Sequence, residues 1–202
     1  MPPRELEASP KRRQIIEGAR RLFRAQGFDA ASMNAIAQES RVSKGTLYVY
    51  FKSKEELFEA IVEEECREQA EQIFAFQNNE PLEAVLLRMG VELARFLCRP
   101  GGISPLRTVI AIADRMPQLG AKFYLAGPAR GVASLSAYLE EQVVAGILKP
   151  HNCEVAAAQF IDACLSLTFK PMLFNFAGPP EDAQIHYVVG MAVRMFVATY
   201  KA

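Results

Sequence analysis

Ser32-Met-Asn-Ala-Ile-Ala-Gln-Glu-Ser-Arg-Val-Ser-Lys-Gly-Thr-Leu-Tyr-Val-Tyr-Phe51 spells two short helices joined by a tight turn. Ser32 carries the short oxygen-bearing side chain that caps a helix, and Ile36 and Ala37 give that helix a small apolar face that another can cross closely. Ser40-Arg41-Val42-Ser43 interrupts the pattern and places Ser43 to cap the next helix. Counting about 100° per residue from Lys44 brings Leu47 and Phe51 to one side, next to Lys44 and Tyr48. Gly45, Thr46 and Val49 fall on the other side, with Tyr50 at its margin. The large groups can root the helix in a core, while the small side lets a backbone press into a groove.

That arrangement suits the major groove of DNA. Thr46 offers a hydroxyl and a methyl, Val49 offers methyls suited to the C5-methyl of thymine, and the hydroxyls of Tyr48 and Tyr50 can each reach a wall of phosphates. A bare helical hairpin would say little, since such pairs are common in all-helical proteins. The surrounding residues say more. Gly27-Phe28, Ser32-Met33, Ile36-Ala37, the run Val42 to Phe51 and Ser53-Lys54-Glu55-Glu56-Leu57 together resemble the N-terminal domain of the TetR family of transcriptional regulators. The resemblance covers roughly the first quarter of the chain. Two positions depart from it. Arg41 stands where the family often has glycine, so a left-handed backbone there costs on the order of 1 kcal/mol. Val49 stands where a longer polar or aromatic residue is common, so fewer direct hydrogen bonds to bases are expected from it.

The expected DNA-facing set is Ser32, Met33, Ser43, Lys44, Gly45, Thr46, Tyr48, Val49, Tyr50 and Lys54. Lys54 enters because Ser53-Lys-Glu-Glu56 has the form of a capping box, and the start of the helix it opens is expected to clamp a phosphate. Charge supports this end of the chain as the nucleic-acid end. The net charge is zero, yet residues 1–54 hold eleven Lys and Arg against five Asp and Glu, so a basic headpiece precedes an acidic remainder. Lys11, Arg12 and Arg13 begin the first helix, capped by Ser9 before Pro10, and Arg4 lies ahead of them. Such an arm either follows a groove or stays solvated.

Every other periodic stretch reads as helix, so the fold class is all-α. A three-helix headpiece with the helix-turn-helix is followed by a larger helical domain, of about nine helices in all as the resemblance implies. The expected domains are 1–54 for DNA binding, extending into a long linking helix over 53–76, and 55–202 for effector binding and dimerisation. Helices are expected from Pro81 to Arg99, from Ser104 to about Arg115, around Phe123 and Tyr124, from Val132 to Gly146, from Asn152 to about Phe176 and from Glu181 to Tyr200. Pro171 should kink or break its helix. The last two long helices are rich in alanine and β-branched residues and include Gly190. The resemblance implies that they pair with a second copy as a four-helix interface, making a homodimer that reads a two-fold operator.

The resemblance also implies a small effector in the C-terminal domain. Phe96, Met116, Phe123, Tyr124, Phe160, Phe169, Met172, Phe174 and Phe176 supply aromatic and thioether surface for a largely apolar ligand, and Asp162 is expected to face inward and either orient a polar or cationic ligand group or pair with an arginine such as Arg107 or Arg130. The same residues at helical spacing also serve as ordinary core. Cys66, Cys98, Cys153 and Cys164 lack a CxxC pair and read as reduced thiols, with redox sensing as an alternative. His151 and His186 lack the spacing of a zinc site, so no metal or other cofactor is expected. No GxGxxG, GxxxxGK[ST] or HExxH is present, which argues against an enzyme. A helical protein-binding adaptor is the other class. No apolar run reaches the ~20 residues of a membrane span, and Met1 to Glu7 lacks the apolar segment of a secretory signal, so a cytoplasmic location is expected.

Overall fold

The structure is a computed structural model that describes residues 9–74, 76 and 80–202, without the side chains of 66–71. In chain order the helices are α1 (Pro10–Gln26), α2 (Met33–Glu39), α3 (Lys44–Tyr50), α4 (Lys54–Ile73), α5 (Leu82–Cys98), α6 (Ser104–Ile112), α7 (Pro117–Ala126), α8 (Pro128–Val144), α9 (Cys153–Leu165), α10 (Phe169–Leu173) and α11 (Asp182–Tyr200). One isolated antiparallel bridge joins Leu148 to Lys201. Among the described residues no helix is long and apolar enough to cross a membrane. The break expected at Gln77-Asn-Asn-Glu80 falls largely outside the described residues.

Local chemistry sets the helix starts. Ser9, Ser32, Ser43 and Asn152 each accept a hydrogen bond from a backbone N–H in the first turn that would otherwise be orphaned. At α4, Ser53 Oγ accepts from the Glu56 N–H at 3.2 Å, and the Glu56 carboxylate accepts from the Lys52 N–H at 2.7 Å. This is the expected box with its return bond shifted one residue upstream.

The chain forms two compact units. One ends at Cys66 and takes in Ser104–Phe123; the other holds Arg67–Ile103 and Tyr124–Ala202. Residues 104–123, within the stretch expected as C-terminal domain, thus pack with the headpiece. The cause is a second apolar cluster: Phe28, Phe58 and Val62 meet Val109, Ile112 and Leu119, with Phe23, Met116 and Phe123 against them. Lys122 and Glu59, at 2.5 Å, add an ion pair at its edge.

The headpiece core is Ile15, Ile16, Ala19, Ile36, Ala37, Leu47 and Phe51 with Leu57 and Ile61 of α4. α1 and α2 cross so closely that a Cβ on Gly18 would lie 2.1 Å from Ser40 Oγ. The α2–α3 turn has the expected left-handed residue, Arg41 at φ 53°. Its N–H reaches Gln38 O at 3.0 Å and the Val42 N–H reaches Ala37 O at 3.0 Å, the paired closure that glycine usually makes without strain.

In the second unit α5, α8, α9 and α11 enclose Val85, Leu86, Met89, Leu135, Leu139, Ala157, Phe160, Cys164 and Val189. Pro171 acts differently from a mid-helix kink. The helix stops at Leu165, Leu167 turns left-handed at φ 61°, and Pro171 becomes the third residue of α10. There its missing N–H removes no helical bond.

Candidate nucleic-acid interface and ligand cavity

α3 is anchored as the spacing requires. Leu47 and Phe51 are buried, whereas Lys44, Gly45, Tyr48 and Val49 are exposed, Tyr48 by 44% and Val49 by 67%. Thr46 is half-buried, and its hydroxyl lies 2.8 Å from Ser43 Oγ. Gly45 has no internal reason to be glycine. A Cβ there would meet only Ser43 Oγ, at an ordinary 3.8 Å. Ser32, exposed, and Met33, half-buried, begin α2.

Two residues of the expected set are otherwise engaged. The Tyr50 hydroxyl lies 2.9 Å from Ser9 Oγ, and its ring packs on the headpiece core, so it ties α3 to the start of α1. Lys54 Nζ donates to Phe28 O at 3.0 Å, Asp29 O at 3.1 Å and Ala31 O at 3.3 Å, and stands 4.6 Å from the Phe28 ring centroid. An ammonium has three hydrogens, and all three are used. Glu55 and Glu56 occupy the first turn of α4, a charge that repels phosphate. The Lys54 ammonium thus ties the start of α4 to the loop before α2. Sequence reasoning missed this because the carbonyls belong to a loop some 25 residues upstream. Of the basic arm, Arg12 sits over the Phe51 ring at 5.4 Å, and residues 1–8 lie outside the described residues.

The expected effector residues fall in several places within the two units. Met116 and Phe123 belong to the Phe28 cluster of the first unit. Phe160 is core, edge-on to Phe196 at 5.5 Å. Phe169 and Met172 pack with Cys98 and Ile103. Tyr124, Phe174 and Phe176 are exposed. Asp162 is exposed too, correcting its inward placement: the buried stripe of α9 runs through Cys153, Ala156, Ala157, Phe160 and Cys164, and Asp162 falls off it. Phe96 lines a cavity. Its volume is about 330 Å³, bounded by Gln72, Ile73, Glu92, Arg95, Phe96 and Arg99. The Arg99 guanidinium stacks on the Phe96 ring at 4.0 Å. Arg95 makes a two-pronged contact with Asp182 at 2.7 and 2.9 Å and also pairs with Glu92 at 3.0 Å; hydrogen bonding to Asp182 and then Glu92 raises its pKa.

Burial pushes the Cys164 thiol up to about 12 and also raises those of Cys98 and Cys153. Sensors need exposed, low-pKa thiols, so these three are poorly suited to redox chemistry. His151 stacks on Tyr200 at 4.2 Å, and His186 pairs with Asp182 at 3.2 Å.

Residues 84–202 match the profile described as AefR-like transcriptional repressor, C-terminal domain, and residues 15–61 match that of bacterial regulatory proteins, tetR family. The chain belongs to the TetR family of transcriptional regulators. Among curated relatives, the regulator UidR of Escherichia coli is 40% identical over 81 residues, 40% of this chain and 39% of UidR. The repressor Rv1474c of Mycobacterium tuberculosis is 32% identical over 106 residues, 52% of this chain and 51% of its own. The matches thus span about two fifths to one half of these relatives. Solved structures align over nearly the whole chain. A protein of Mesorhizobium loti described as a TetR-family regulator has a TM-score of 0.88 at 27% identity, covering 95% of this chain and 97% of its own. The flavonoid-responsive regulator FrrA has a TM-score of 0.81 at 28% identity, with the same coverage. These family members are regulators and not enzymes.

Proposed function

We propose that this protein is a sequence-specific transcriptional repressor that binds a palindromic operator as a homodimer and is released by a small ligand. The observation that carries the reading is α3, rooted by Leu47 and Phe51 and presenting Lys44, Gly45, Tyr48 and Val49 outward. Ser32, Met33, Ser43 and Thr46 complete the proposed contact surface. One such helix reads only a half-site, and a two-fold partner places its copy one DNA turn away, about 34–36 Å. The proposed dimer face is the outward side of α9 and α11, where Val155, Tyr187, Met191 and Met195 are exposed.

For the effector, the Phe96 cavity, with an aromatic ring and the Arg99 guanidinium stacked on it, favours a largely apolar molecule with a planar aromatic group. FrrA responds to flavonoids, and its likeness across the chain favours the same aromatic class. The ligand needs only unequal affinity for the operator-fitting and non-fitting arrangements.

Selection from a random DNA pool with the purified protein should yield a palindromic consensus whose binding weakens steeply with salt. Salt-insensitive binding to a protein and to no duplex would favour the adaptor reading. A flavonoid panel should raise the melting temperature and release the selected duplex; melting unchanged by every compound would end the aromatic reading while leaving DNA binding intact.

A further inference from the structure

We propose that the segment between α9 and α11 is an arm that grips the partner subunit, with Phe174 and Phe176 as its contact residues. The inference deepens the homodimer reading above and rests on it. Leu167, Phe174 and Phe176 are 75%, 79% and 88% exposed, so three large apolar side chains of one short segment stand in water. From Ser166 to Pro180 the sequence holds a single charged residue, Lys170. Isolated apolar residues on a surface need no explanation, whereas a group of them with almost no charge beside it marks a contact surface.

The arm is held in shape with those rings outward. Met172, with Phe169 and Leu173 beside it, packs on Cys98 and Ile103 and roots α10 in its unit. The buried Thr168 donates its hydroxyl to Leu165 O at 3.1 Å. After α10 the Asn175 N–H donates to Met172 O at 3.0 Å, and those of Phe176 and Ala177 donate to Pro171 O at 2.9 and 3.2 Å. Two residues other than glycine are left-handed here, Leu167 at φ 61° and Asn175 at φ 57°. Asparagine tolerates that backbone, and leucine disfavours it. A segment that accepts such a conformation while directing apolar rings into solvent is preorganised for a partner.

The occupant is a second copy of this chain. The arm joins the two helices whose outward sides, at Val155 and Tyr187, form the proposed dimer face, and a two-fold interface brings the same patch of both subunits together. Two phenylalanine rings bury on the order of 300–500 Å² when covered, a large share of the roughly 800 Å² per partner in a stable interface of standard size. The scarcity of charge also suits the centre of a subunit interface better than its rim.

The chain has no tryptophan, so Phe176→Trp supplies a single fluorescent reporter. Its emission should be blue-shifted in the dimer and turn to that of solvent-exposed indole when the dimer is dissociated by dilution. Exposed emission in the dimer would overturn the proposal. So would buried emission that survives dissociation, which would fold the ring onto its own subunit. A blue shift that arises only when phosphatidylglycerol vesicles are added would assign the rings to a lipid surface and overturn it as well. Dimer strength is then compared between wild type and the double variant Phe174→Ser/Phe176→Ser, by sedimentation equilibrium or, for a tighter dimer, by the rate of subunit exchange. The double variant should dissociate about 100-fold more readily. Undiminished dimer strength in a variant that circular dichroism shows folded would remove the arm alone, whereas a wild type that is monomeric at every concentration would remove the homodimer reading with it. If the double variant does not fold, the emission of Phe176→Trp decides.

Discussion

α3 and α11 each carry a glycine that their own chain does not require. A Cβ on Gly45 would meet only Ser43 Oγ at 3.8 Å, and one on Gly190 would meet nothing within 4 Å. Neither has a left-handed backbone, and glycine inside a helix costs roughly 0.5–1 kcal/mol relative to alanine. The two helices differ in what surrounds that bare spot. Around Gly45 stand Lys44, Tyr48 and Val49, a cationic and hydroxyl-bearing setting suited to a polyanion. Around Gly190 stand Tyr187, 68% exposed, and Met191, with His186 and Arg194 exposed one turn away, a mixed apolar and basic setting suited to another protein surface. The proposed function assigns this similar backbone economy to two kinds of partner, distinguished by the neighbouring side chains.

Filling each bare spot sharpens the contrast. Gly190→Leu should have the largest effect: sedimentation should show monomer in place of dimer. Affinity for the full palindrome should fall on the order of 10²-fold or more, because the second half-site no longer binds as part of the same complex. A dimer that persists at wild-type strength would place the interface elsewhere. Gly45→Ala should leave the dimer intact and weaken duplex binding by on the order of 1 kcal/mol. It should also raise the stability of the fold by up to about 1 kcal/mol in chemical denaturation. Opposite signs in the two assays mark a residue chosen for its partner, and parallel losses would mark a folding defect.

Arg41→Gly addresses the headpiece alone. Relief of the φ 53° backbone should stabilise it by about 1 kcal/mol in a urea titration, less what the freer unfolded chain takes back. The smallest effect is expected in the second unit. The Asp182 carboxyl is held below its usual range chiefly by its hydrogen bond from Arg95. A depressed folded-state value adds stability above the ordinary carboxylate pKa and loses it as pH falls through the folded value. Asp182→Asn should therefore lower the melting temperature slightly at pH 7, and the difference should shrink between pH 5 and pH 3. A constant difference would assign the effect to packing.

The candidate interface was largely legible because its determinants are local. Caps at Ser32 and Ser43 and the side allocation of Leu47, Phe51, Gly45 and Val49 depend only on residues within two helical turns, and the structure has them as the spacing implies. The ligand cavity was not legible. Its expected residues are apolar at helical spacing whether they line a cavity or fill a core, and most of them fill cores.

By itself the sequence determined the helical periodicity, the starts set by Ser9, Ser32, Ser43 and Asn152 and the outward face of α3, because each follows from sterics and hydrogen bonding within a few residues. Only the tertiary structure decided that Lys54 closes a carbonyl collar, that Asp162 faces out, that residues 104–123 pack with the headpiece and that the helix before Pro171 breaks at 166–168. Those outcomes depend on which distant groups compete for one ammonium, one apolar face or one turn of helix, and packing settles that competition.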